Sequence, residues 1–176
     1  MTSKLILILG GARAGKSTFA LRLAQEHAGE SSVTFIATAQ ALDEEMAQRI
    51  ACHREERPAH WSTIEEPYEI DRALIQAPDS SVVLIDCLTL FVSNWLLRDE
   101  APRLQETVES FLATVRSRTQ TVICVSNEVG LGLVPETPLG RTFRDLLGRV
   151  NQQFAETADE VYLLVAGLPL RLKPRE

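Results

Sequence analysis

The stretch "GGARAGKS", Gly10 to Ser17, fits the phosphate-loop pattern GxxxxGK[ST]. The chemistry of that pattern is anion binding. Gly10 and Gly15 permit backbone angles that turn successive N–H groups inward. Those donors, with Gly11, Ala12, Arg13 and Ala14 between them, and the N-terminus of the helix that follows cradle phosphate oxygens. Lys16 is placed to reach the β and γ phosphates, and the Ser17 hydroxyl to ligate Mg²⁺. The other half of such a site is an apolar strand ending in a carboxylate. "VVLID" supplies one, and Asp86 meets Mg²⁺ directly or through water. Without a ligand the same residues are a glycine-rich turn and a strand that happens to end in Asp. The pairing of the two motifs favours a nucleotide.

A second chemistry is written in "RIACHREERPAHW", which begins at Arg49. His53 follows Met46 and Ile50 on one helical face and precedes Arg54, Glu55, Glu56 and Arg57. Two readings stand. In one, the ring packs at the end of an apolar stripe, and its charged neighbours are a solvated helix end. In the other, a neutral imidazole attacks phosphorus and holds it as a labile phosphoramidate. Arg54 and Arg57 would then hold phosphate oxygens, and Glu55 and Glu56 would accept from a base or ribose. His60 beside Trp61 reads as a loop brace, and His27 as part of an exposed helix tail.

Elements must position these groups. "KLILIL" (4–9), "VTFIAT" from Val33, "SVVLID" (81–86), "TVICVS" (121–126) and "EVYLLVAG" are apolar runs that suit strands covered on both faces. Helices are predicted after the glycine loop, with Phe19, Leu21 and Ala24 as a stripe, and from Asp43 as N-cap to about Arg54, with Pro58 stopping that helix. Further helices are expected over 68–75, over 88–97, from Pro102 to about Arg118, and from Thr137-Pro138 onward with Phe143, Leu147, Val150 and Phe154 in register. The segment between Pro58 and Pro67 reads as polar loop. "LPLRLK" adds a short antiparallel edge strand. Strands alternating with helices predict an α/β fold: a mostly parallel sheet with helices on both faces, in one domain spanning 1–176.

Composition narrows the function. The chain has 176 residues, of which 45% are hydrophobic, and a net charge of −6 with no basic run. That excludes the electrostatic footprint of a nucleic-acid surface. Three cysteines without metal-ligand spacing suit a reducing cytoplasm. No stretch has transmembrane length, so no membrane insertion is expected. The guanine-reading NKxD pattern is missing, which argues against a Ras-like switch. Asn127 and Glu128 end a strand where open α/β sheets place ligands. Arg141, Arg144 and Arg149 read first as the wet face of a helix, with a neighbouring subunit's phosphates as the alternative.

The blocks "GGARAGKS", "IATAQALDEEMAQRI", "HREERPAHW", "DCLTLFVSNWL" and "NEVGLGLVPETPLGRTFRDLLGRVNQ" together resemble the bifunctional adenosylcobinamide kinase / adenosylcobinamide-phosphate guanylyltransferase family of cobalamin synthesis. The resemblance covers nearly the whole chain. It implies a RecA-like P-loop fold, a homotrimer and a corrinoid substrate. It also implies two reactions: phosphorylation of the aminopropanol hydroxyl by ATP or GTP, then transfer of GMP from GTP through a histidine-bound intermediate. The family's nucleophile falls on His53. Its nucleotide contacts fall on Gly10 through Ser17, on Ala37, Thr38 and Ala39, on Arg54 through Arg57, on Glu65 and on Asp86. Ala14 stands where serine is expected, and Cys52 where some members carry a second histidine. Two rivals remain at this stage: a plain small-molecule kinase in which His53 is structural, and a RecA-like ATPase module that moves a partner.

Overall fold

The computed structural model describes residues 4–174. In chain order the elements are β1 (Lys4–Gly10), α1 (Lys16–Ala28), β2 (Val33–Ala37), α2 (Glu44–Glu55), β3 (Ser62–Glu65), α3 (Ile70–Gln76) and β4 (Val82–Asp86). Then follow α4 (Leu88–Leu97), α5 (Ala101–Ser117), β5 (Thr121–Val125), α6 (Pro138–Thr157), β6 (Glu160–Val165) and β7 (Leu168–Lys173). The strands form one seven-stranded sheet in the order β3-β2-β4-β5-β1-β6-β7. Every neighbouring pair is parallel except β6 and β7, which form the expected antiparallel edge.

The alternation of side chains along a strand explains the unbroken apolar runs. In β1, Leu5, Leu7 and Leu9 face one core, built with α3, α4, α5 and α6. Ile6 and Ile8 face the other, under α1. A strand covered on both sides has no polar face to show. On α1 the buried stripe is Ala20, Ala24 and Ala28, shifted from the expected Phe19, Leu21 and Ala24. Small side chains let that helix lie close on the sheet. Phe19 sits at the margin, edge-on to Tyr162 at 5.4 Å.

Local signals set the helix ends. Asp43 caps α2 by accepting from the Met46 N–H at 2.7 Å. Thr137 caps α6 by accepting from the Gly140 N–H at 3.1 Å, and prolines occupy the first turns of α5 and α6. The segment read as polar loop contains β3, an addition to the expected strands. It is a four-residue edge strand with a single partner, and only Ile64 is partly buried. It therefore carries no alternating apolar signal. Among the described residues no helix is long and apolar enough to cross a membrane.

The larger core is held by aromatic packing between helices. Phe111 of α5 stacks on Phe154 of α6 at 5.5 Å, and both are fully buried. Phe111→Ala is expected to cost about 3–5 kcal/mol in chemical denaturation. A loss below about 1 kcal/mol would show that this contact does not carry the core.

Candidate active site

Parallel strands bring their C-terminal ends to one edge. There β1, β2, β4 and β5 open into a cleft of about 1160 Å³. The glycine loop forms its floor. Gly15 has φ 89° and caps α1 in the left-handed region, which an L side chain resists. A Cβ on Gly10 would lie 2.7 Å from the Leu164 carbonyl oxygen, so only glycine lets β1 end this close to β6. The β6–β7 turn braces the loop from behind, with the Gly167 N–H donating to the Ala14 carbonyl at 3.0 Å.

Lys16 is folded over its own loop and donates from Nζ to the Gly11 carbonyl at 2.6 Å. Burial pulls its pKa below the ordinary amine value, and the Asp86 charge opposes that shift. Ser17 Oγ donates to Asp86 Oδ2 at 3.0 Å, tying the head of α1 to the end of β4. Burial raises the pKa of Asp86, against the Ser17 hydrogen bond and the charges of Arg57 and Lys16. This carboxylate and hydroxyl suit a hard cation, which takes oxygen ligands. Mg²⁺ in phosphoryl-transfer sites takes few protein ligands and completes its shell with phosphates and water. The neighbouring Cys87 is pushed up to about 12 by burial and by Asp86, so its thiol stays neutral and is no competing nucleophile.

The cleft brings the second motif to the first. His53 lies in the last turn of α2, half-exposed, and lines the same cleft as Lys16 and Asp86. Its Nδ1 is 3.4 Å from Glu56 Oε2. Arg54 pairs with Glu65 of β3. The Arg57 guanidinium lies 3.6 Å from the centre of the Phe35 ring, and its Nε is buried with no acceptor among the described residues. Buried donors are rarely left so, and a phosphate oxygen is a fitting acceptor. No residue of α2 is buried, so the helix that carries His53 is held by its cap and these few polar contacts.

The other expected residues divide. Ala12, Arg13, Ala14, Ala37 and Ala39 line the cleft, as do Glu56 and Glu65. Gly10 is buried and Gly11 is exposed, and neither lines the cleft with its own atoms. Thr38 is fully buried: its hydroxyl donates to the Cys87 carbonyl at 2.7 Å and accepts from the Cys87 N–H at 2.8 Å. Glu55 is exposed and outside the lining. Arg141 donates to the Pro135 and Glu136 carbonyls, and Arg144 pairs with Asp145, so both serve their own helix and the loop before it. Arg149 is exposed on the same helix. Glu128 accepts from the Gly130 N–H. The cleft also includes Arg49, four residues before His53, and Gln40, neither singled out by sequence. Helical spacing pointed to Arg49. Nothing local pointed to Gln40.

The profile of the family described as cobinamide kinase / cobinamide phosphate guanyltransferase matches residues 6–172. The bifunctional adenosylcobalamin biosynthesis protein CobP of Pseudomonas aeruginosa is 48% identical, over 95% of this chain and 96% of that protein. CobU of Escherichia coli, a protein with the same description, is 43% identical over 96% and 99%. Among solved structures, the flagellar accessory protein FlaH of Methanocaldococcus jannaschii superposes with a TM-score of 0.55 at 17% identity, covering 98% of this chain and 79% of that one. That likeness shows the fold, a RecA-like P-loop architecture.

Asp86 gives a test with a definite sign. A carboxyl whose folded pKa is raised adds stability at low pH and loses it as pH rises through that raised value. At neutral pH its charge therefore weighs against the ligand-free fold. Asp86→Asn should raise the Tm of the ligand-free protein, by about 2–4 °C per kcal/mol recovered, and should abolish the added stabilisation by Mg²⁺ with GTP. A lower ligand-free Tm in the variant would show that the charge is already compensated.

Proposed function

The chain belongs to the cobinamide kinase / cobinamide phosphate guanyltransferase family, and we propose that its guanylyl transfer runs through a covalent GMP on His53. The enzyme is a bifunctional adenosylcobinamide kinase and guanylyltransferase of cobalamin biosynthesis. The observation that carries the proposal is one cleft holding Lys16, Ser17 and Asp86 together with a half-exposed histidine.

In the kinase reaction, ATP or GTP lies with its phosphates over Gly10 to Ser17. Lys16 reaches the β and γ phosphates, and Ser17 and Asp86 would hold Mg²⁺. The metal, when bound, neutralises phosphate charge. The aminopropanol hydroxyl oxygen of adenosylcobinamide bonds to the γ-phosphorus as the bond to the β,γ-bridging oxygen breaks. Nucleoside diphosphate leaves with that electron pair.

In the second reaction, a ring nitrogen of His53 bonds to the α-phosphorus of GTP. The bond from that phosphorus to the α,β-bridging oxygen breaks, and pyrophosphate leaves. The ring then sheds its other proton; Glu56, 3.4 Å from Nδ1, is placed to accept it. Arg54 and Arg57 hold phosphate oxygens, and Ala37 and Ala39 line the same cleft. A phosphate oxygen of adenosylcobinamide phosphate next attacks the bound phosphorus, the P–N bond breaks with its electron pair going to the ring nitrogen, the imidazole regains its proton from Glu56, and adenosylcobinamide-GDP leaves. The proposal places this chemistry in a single domain, in a cytoplasmic homotrimer. Exposed Leu131, Leu133 and Leu168 offer apolar surface for subunit contact.

Incubation with Mg²⁺ and GTP labelled at the α-phosphate, followed by denaturation, should leave label on the protein that survives alkali and is lost in acid. His53→Ala should carry none. Absence of bound label in the unaltered protein, or full labelling of the variant, would refute the covalent step. Lys16→Ala should lower phosphoryl transfer by at least about 100-fold with an unchanged circular dichroism spectrum. Full activity in that variant would remove the glycine loop from the mechanism.

A further inference from the structure

We infer that Asn127 bridges the γ-phosphoryl group and the acceptor hydroxyl in the kinase reaction, and that buried Asn151 holds it in place. Asn127 follows β5 at the C-terminal edge of the sheet and lines the cleft with Lys16 and Asp86. Its main chain is fixed on both sides. The Asn127 N–H donates to Thr89 Oγ1 of α4 at 2.8 Å. Its carbonyl accepts from Asn151 Nδ2 of α6 at 3.1 Å. Asn151 is turned in turn by its Oδ1, which accepts from Ser126 Oγ at 2.7 Å. Ser126 and Asn151 are buried, and Ser126 continues the ladder by donating its N–H to the Ile8 carbonyl of β1 at 2.9 Å. A satisfied polar network in a core costs desolvation and returns rigidity. This one draws on α4, β5 and α6, and it converges on the backbone of a single residue.

The Asn127 carboxamide, by contrast, makes no hydrogen bond to any described residue. Its chemistry fits what the other groups lack. An ammonium only donates and a carboxylate only accepts, whereas a carboxamide does both. The Ser17 hydroxyl already donates to Asp86, and the Gln40 amide already donates to Tyr68. Phosphoryl transfer to an alcohol needs one group to hold an anionic oxygen and another to align a hydroxyl. Asn127 Nδ2 donates to a γ-phosphoryl oxygen while Oδ1 accepts from the substrate hydroxyl, lining its oxygen up with phosphorus. Being neutral, the carboxamide takes no proton. As the oxygen–phosphorus bond forms and the β,γ-bridging bond breaks, the hydroxyl proton passes to the phosphoryl product or to water. Guanylylation of His53 occurs at the α-phosphorus and uses no acceptor alcohol, so it does not need this bridge. The inference rests on the glycine loop as the kinase site.

The test compares the two half-reactions on one preparation. Asn127→Ala should lower the kinase kcat by about 100-fold while the nucleotide KM moves by less than about threefold. Labelling of His53 from α-labelled GTP should proceed at a near-normal rate. Asn151→Asp keeps the acceptor for Ser126 and removes the donor to Asn127, and should show the same selective loss of kcat to a smaller degree. A kinase kcat within about twofold of the unaltered enzyme in Asn127→Ala would overturn the inference. So would an equal fall of kinase activity and self-labelling in both variants, the signature of general damage. If the unaltered enzyme fails to label, the covalent step on His53 is lost, and the split between kcat and KM still decides the role of Asn127.

Discussion

A half-buried carboxylate at the end of a strand, to which a serine hydroxyl alone donates among the described residues, sets the terms for the rest of the site. Asp86 is carried there by an apolar strand that hydrogen bonds on both sides, and Ser17 is carried to it by the head of α1. Burial makes its charge unfavourable, and nearby positive groups relieve only part of that. Such a group is a standing demand for a cation. In the same cleft the glycine loop and Lys16, whose Nζ donates to the Gly11 carbonyl, would take the phosphates. A metal ion and a triphosphate would complement these groups and relieve the charge imbalance between them.

That imbalance is affordable because the scaffold is rigid where the phosphates lie. β1 is buried on both faces, and its terminal glycine is pressed against Leu164 with no room for a side chain. The second chemistry sits on the opposite kind of support. His53 rides on α2, which buries none of its residues and is tied down by polar contacts at its ends. A fixed floor suits γ-phosphoryl transfer. A lightly held helix would suit the proposed nucleophile, which has to meet the α-phosphate and later present GMP to a bulky acceptor.

Sequence disclosed most of the floor and less of the walls. The apolar runs of β1, β4 and β5, the glycine loop, and the caps at Asp43 and Thr137 are local signals, and the structure follows them. β3 was hidden because an edge strand of four residues, three of them exposed, has no hydrophobic period. The inward turn of Thr38 toward Cys87 and the outward turn of Glu55 depend on packing between distant elements. The link between Asn151 and Asn127 spans 24 positions and two elements, so no spacing rule announces it. Arg141 reads as a wet helix face in sequence, yet it braces the carbonyls of the loop before its own helix.

The covalent claim comes down to one atom on one side chain. Tandem mass spectrometry of peptides from the GTP-treated enzyme, digested under alkaline conditions, locates it directly. A GMP mass increment confined to the His53 imidazole is the expected spectrum. The increment on Lys16, on Cys52 or on no residue would mean that guanylyl transfer takes another route.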